Sequence, residues 1–201
     1  MNFNFIAPYY DWIARIIFGQ SIVESQINHF GLIRPGAKVL VIGGGTGWIL
    51  KHLPADCEKV VFVEPSREMI VRAARESVSF PLYLLKDYYE NITINEKYDA
   101  IIVNYFFDMF SKNDLDQIAD KMKRSLSESG LLFATDFTNM VGFWHRSMLI
   151  IMYTFFWMVA GIPNRKLCNW QQILMSNGLR IVHSSHFYGG FIISTVYRKR
   201  S

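Results

Sequence analysis

The sequence predicts an α/β fold: a doubly wound, mostly parallel sheet of seven strands that ends in an antiparallel hairpin, with helices on both faces. Three observations carry this expectation. From about Lys38 onward, short apolar runs alternate with stretches of helical periodicity, the pattern of βα units around a parallel sheet. The first run, Val39-Leu40-Val41-Ile42, stops in Gly43-Gly44-Gly45-Thr46-Gly47 and is followed at once by helix-compatible residues. It reads as a strand, a tight turn and a helix start, because only glycine turns a backbone this sharply while leaving room for a ligand. Near the end, Arg180 to Phe187 and Phe191 to Arg198 are strand-like runs separated by Tyr188-Gly189-Gly190, as in a hairpin.

The elements follow in order. Candidate strands are Lys38 to Ile42, Lys59 to Val63, Leu82 to Lys86, Ala100 to Asn104 and Leu131 to Asp136. Between the last two, Leu115, Ile118, Ala119, Met122 and Leu126 repeat at helical spacing. Ser111 opens that helix as a cap, Asp114 is its first-turn acid, and it closes before Gly130. Repeats and low-complexity linkers are absent, so the 201 residues are read as a single domain. Residues 1–30 are expected to form an N-terminal helical cap and 139–169 an apolar helical insertion near the pocket. A chain of this size buries roughly 70% of its unfolded surface and needs no staple.

Cys57 and Cys168 lie far apart without partner spacing, which suggests buried thiols and no metal site. The N-terminus lacks a basic start followed by an apolar core, so a cytoplasmic location is expected. The net charge of +4 is modest and, apart from Arg198-Lys199-Arg200, the cations are scattered. A nucleic-acid partner would need a stripe of them along one face. Met148 to Ile162 carries no charge and is dense in Phe, Trp, Met and Ile. As a helix these residues span only about 22 Å, short of a bilayer core of roughly 30 Å. The readings left are a buried helix, a wall of an apolar pocket, or a patch that makes peripheral contact with a membrane.

In a doubly wound sheet, ligands bind at the carboxyl ends of the strands. Those positions hold the glycine turn, then Glu64-Pro65-Ser66, Asp87-Tyr88, Asn104 to Asp108, and Asp136-Phe137. Glu64, about 20 residues beyond the glycines, is placed to accept both hydroxyls of a ribose. The alternative for Glu64 is a solvated loop acid. Asp87 is read either as an acceptor from an adenine amine or as a cap of the following turn.

These residues resemble the class I S-adenosylmethionine-dependent methyltransferases, whose first motif ends a strand with an acid, one residue and Gly-x-Gly-x-Gly. Gly43, Gly45 and Gly47 match it, and Ile6-Ala7-Pro8-Tyr9-Tyr10-Asp11-Trp12 looks like the opening of the branch that methylates quinones and phospholipids. The resemblance implies a Rossmann-like sheet and S-adenosyl-L-methionine as cofactor. The implied site is Gly43, Gly44, Gly45, Gly47, Glu64, Pro65, Asp87, Tyr88, Asn104 and Tyr9. One departure stands out: the family's motif acid, which helps to hold the methionine ammonium, is Val41 here. Losing a charge-assisted hydrogen bond weakens binding by roughly 1.5 to 3 kcal/mol unless Asn104, backbone carbonyls or Tyr9 compensate. A cofactor-binding relative without turnover is the alternative this opens.

Methyl transfer needs alignment and desolvation, not a protein nucleophile; a general base enters only for an acceptor that must lose a proton. The candidates are Asp108, His145, His183 and His186, each read first as structural: Asp108 as a loop residue, His145 as a helix-start cap or surface group, and His183 and His186 as hairpin side chains. Asp108 and His145 are preferred because they flank the expected pocket mouth. Tyr9, Tyr10, Trp12, Phe106, Phe107, Phe143, Trp144 and the Tyr153 to Trp157 cluster are read first as core, and any share of them lining the pocket points to a small, hydrophobic or planar acceptor. A nicotinamide-dependent oxidoreductase would need a small residue where Trp48 stands.

Overall fold

Continuous apolar runs become inner strands because both of their faces are covered. In β1 (Lys38–Ile42) and β2 (Lys59–Val63) only the first residue is part-exposed. β3 (Leu82–Leu85), β4 (Tyr98–Asn104), β5 (Leu126–Phe137), β6 (Leu179–Phe187) and β7 (Ile192–Lys199) complete one sheet in the order β3-β2-β1-β4-β5-β7-β6. Neighbours from β3 to β5 are parallel, and β7 runs antiparallel to both β5 and β6. This Rossmann-like architecture with its terminal hairpin is the expected fold. The computed structural model describes residues 19–138 and 168–200. Tyr9, His145, the segment Met148 to Ile162, nearly all of the 139–169 insertion and the first part of the 1–30 cap lie outside the described residues.

Four α-helices flank the sheet among the described residues: α1 (Ser21–Ile27), α2 (Arg67–Ala73), α3 (Lys112–Ser125) and α4 (Trp170–Ser176). Three of them start on a side chain that accepts a backbone N–H, from Met69 to Ser66, from Asp114 to Ser111 and from Gln172 to Asn169. Such caps are worth about 1 kcal/mol each. The buried stripe of α3, Leu115, Ile118, Ala119 and Met122, packs with Trp170, Ile173 and Leu174 of α4 on one side of the sheet. On the other side Phe30, Ile33, Ile49, Leu50 and Ala73 close over Val39, Val41, Phe62 and Ile102.

Three local expectations are corrected. After the glycine turn there is no α-helix, only a 3-10 segment, Trp48–His52. Pro54 follows closely, and a residue before proline avoids the helical region; Leu53 is extended at ψ 154°. Leu126 belongs to β5, where it pairs with Tyr98, and β5 therefore starts five residues earlier than Leu131, with an irregularity before Leu131 rejoins the ladder opposite Ala100. Finally, residues 86–97 join β3 to β4 without a helix. Ile92 and Ile94 cover the sheet there, beside a cleft of about 360 Å³ over Leu40, Val61, Val63 and Leu85.

Cys57 is buried and Cys168 half-buried, both as free thiols. Burial pushes the Cys57 thiol up to about 11, so it is inert at neutral pH. No described helix is long and apolar enough to cross a membrane.

Candidate functional site

Strand order reverses at β1, which pairs with β2 on one side and β4 on the other. The carboxyl ends of β1 and β4 therefore border a crevice, because the connections leaving them go to opposite faces of the sheet. The glycine turn forms one wall of it. Gly43, Gly45 and Gly47 all have positive φ, at 63°, 59° and 81°. Their tasks differ, however. A Cβ on Gly44 would lie 2.1 Å from the Phe62 ring and one on Gly47 would lie 2.7 Å from Ala73 Cβ, so both are set by packing. Among the described residues, nothing lies within 4 Å of such a Cβ at Gly45. That open space is the cradle.

Glu64 ties this turn to β2. Its Oε2 accepts the Gly45 N–H at 3.1 Å and its Oε1 accepts the Ser66 N–H at 2.9 Å. The residue is 8% exposed, and burial pushes its carboxyl above the usual range, against the two N–H bonds that pull it down. A carboxylate offers about four acceptor positions, so two remain. Pro65 is half-buried beside it.

The opposite wall comes from β4 and β5. Tyr105, just past β4, has φ 51°, a conformation that costs a non-glycine residue about 1–3 kcal/mol. Its N–H donates to Thr135 O at 2.7 Å, and its hydroxyl lies 2.9 Å from Ser25 Oγ, which bring it against α1. Asp136 at the end of β5 is fully buried and accepts three backbone N–H groups: Phe106 and Phe107 on Oδ2 at 3.1 and 2.8 Å, Phe137 on Oδ1 at 2.7 Å. Burial and the nearby Asp108 charge push its carboxyl well up. Asp108 is partly buried in the 3-10 turn after β4, and burial pushes it up to about 6. Asn104, the last residue of β4, has both side-chain polar atoms buried without a hydrogen-bond partner among the described residues.

Thus Gly43, Gly45, Glu64, Asn104 and Asp108 line the carboxyl ends of adjacent strands. Asp87 and Tyr88 stand at the same edge beyond β3, both exposed. Asp87 accepts from Tyr88 N at 2.7 Å and Asn91 Nδ2 at 2.9 Å, so it caps its own turn. His183 and His186 sit on β6, three strands from β4; the His183 ring lies 6.0 Å from His29, away from the crevice. Most aromatic residues here are core: Phe107 stacks on Trp170 at 5.0 Å and is 1% exposed. Tyr105 and Phe110 remain half-buried. The stapling role of Asp136 escapes sequence reading, because its partners Phe106 and Phe107 lie 30 and 29 residues away.

The family model described as a methyltransferase domain matches residues 39–130, the span from β1 to the irregularity of β5. No curated protein matches the chain by sequence. Among solved structures, the chain is similar to the N-methyltransferase NodS from Bradyrhizobium japonicum WM9 in complex with S-adenosyl-L-homocysteine, at 14% identity, TM-score 0.65, over 90% of this chain and 84% of that one. It is similar to the DhpI-SAM-HEP complex at 16% identity, TM-score 0.68, over 96% and 92%. A third is the TehB-like SAM-dependent methyltransferase from Corynebacterium glutamicum, at 14% identity, TM-score 0.59, over 96% and 98%. At such identities the likeness is one of fold.

Proposed function

We propose that this chain is an S-adenosylmethionine-dependent methyltransferase acting on an apolar or aromatic small molecule, quinone-like or lipid-like. The observation that carries the reading is the open space over Gly45, bordered by the buried, half-satisfied carboxylate of Glu64. The residues fit the cofactor: Glu64 has acceptor positions for a ribose diol, the turn leaves room for a ligand against its backbone, and Asn104 offers an unpaired amide. When bound, the cofactor supplies a methyl group on a sulfonium leaving group. The chain's own work is then to orient and to exclude water, which alone accounts for about 7–11 kcal/mol of barrier lowering.

Tyr105 and Phe110 offer half-buried rings at the β4 end, which suit a planar or apolar acceptor better than a polar one. Asp108 would take up a proton from an acceptor hydroxyl or amine, since a carboxyl near pH 6 is both partly ionised and basic enough. A second reading, cofactor binding without turnover, is favoured by Val41, which is 1% exposed and buried among Val39, Phe62 and Ile102.

Calorimetry with S-adenosylmethionine and S-adenosylhomocysteine tests the cofactor, and transfer of a labelled methyl group into a cell extract, followed by identification of the product, tests turnover. Binding with a labelled apolar product supports the proposal. Binding without any labelled product favours the second reading, and no binding at millimolar concentration ends both. Peripheral membrane contact through Met148 to Ile162 is a separate proposal, checked by flotation with liposomes and its loss in Trp157→Glu.

A further inference from the structure

Position 41 carries no acid, yet the sheet places another polar group close by. Val41 pairs with Ile102 in the β1–β4 ladder, and both belong to the same buried cluster, so their side chains leave one face of the sheet. Side chains two apart on a strand share a face. Asn104 is therefore on the Val41 face, one residue past the last β1 partner in β4, level with Gly43 where the glycine turn begins. Its Oδ1 and Nδ2 are both buried and both lack a partner among the described residues. A buried amide left unpaired is costly and calls for an explanation, and this one stands at the strand end where a doubly wound sheet takes its ligand.

We propose that the Asn104 side-chain amide holds the amino-acid end of the cofactor in place of the acid that position 41 lacks. The inference rests on the reading of the crevice as a cofactor site and adds which residue recognises the zwitterion. The chemistry of an amide suits the task in a way a carboxylate does not. Its oxygen accepts from the ammonium, while its NH₂ donates to the carboxylate. One neutral side chain thus answers both charges without burying an anion among Val39, Phe62 and Ile102.

The test uses two ligands that share adenosine and thioether and differ in the amino-acid tail: S-adenosylhomocysteine, which has it, and 5′-methylthioadenosine, which does not. Calorimetry is run on the full chain and on the near-isosteric Asn104→Leu and the smaller Asn104→Ala. Both variants are expected to bind S-adenosylhomocysteine about tenfold or more weakly, with the affinity for 5′-methylthioadenosine unchanged. Without ligand, Asn104→Leu is expected to melt at or above the temperature of the unsubstituted chain, because it removes unpaired polar groups. Equal weakening for both ligands, or a drop in the unliganded melting temperature of Asn104→Leu, would make the residue structural and overturn the inference. So would unchanged affinity for S-adenosylhomocysteine, which leaves the cofactor reading intact. If the unsubstituted chain binds neither ligand, the cofactor reading falls and this inference falls with it.

Discussion

The two walls of the crevice each use a buried carboxylate to gather backbone N–H groups, and they differ in what is left over. At the β1–β2 end, Glu64 accepts two N–H groups, is 8% exposed, and borders the open space over Gly45. At the β4–β5 end, Asp136 accepts three, is 0% exposed, and holds the backbone of Phe106 and Phe107. The same kind of group thus keeps acceptor positions free beside open space in one place and gives them to the chain in the other. Remaining acceptor capacity and adjoining free volume make the difference, since a carboxylate sealed into the core has nothing left to offer a ligand.

The largest effect expected is on stability, at the sealed end. Asp136→Ala removes the carboxylate that three buried backbone N–H groups share and should cost about 3 kcal/mol or more, a fall of roughly 10 °C in Tm. A thermal melt in which Asp136→Ala loses no more than Glu64→Gln would erase the contrast between the two ends. Next comes Gly45→Val, expected to abolish S-adenosylhomocysteine binding in calorimetry while the fold survives, at a cost of about 1–2 kcal/mol for a side chain at φ 59°. Gly47→Ala should do the reverse, lowering Tm through its clash with Ala73. Binding by Gly45→Val with unchanged affinity would refute the cradle.

A smaller change is expected for Glu64→Gln: affinity for S-adenosylhomocysteine about tenfold lower, with Tm shifted by only a few degrees. The smallest effect concerns pH. Burial lifts the Asp108 carboxyl from 3.8 to about 6, so the folded chain binds this proton more tightly than the unfolded chain. Stability from this group is full below about pH 4, declines as pH rises through the window up to about 6, and stays lower above it. Asp136 is raised too and declines in the same direction. Melts of Asp108→Asn between pH 4 and 8 should therefore show a flatter profile and, at pH 8, a Tm a few degrees higher. An unchanged slope would separate Asp108 from the buried pair.

Local chemistry determined a good deal of this protein. The apolar runs of β1 and β2, the serine caps of α2 and α3, the glycines at positive φ and the acid about 20 residues beyond them follow from short-range sterics and periodicity, so they are legible in the sequence. The helix expected after Gly47 was not, because the effect of Pro54 on Leu53 outweighs the helical pattern there. What only the tertiary structure decided is which polar groups end up satisfied. Asp136 meets N–H groups about 30 residues away, Tyr105 accepts a strained φ to reach Ser25, and the Asn104 amide is buried with nothing to bond among the described residues. Hydrogen-bond satisfaction depends on strands brought together from distant parts of the chain, and no local pattern of residue types encodes it.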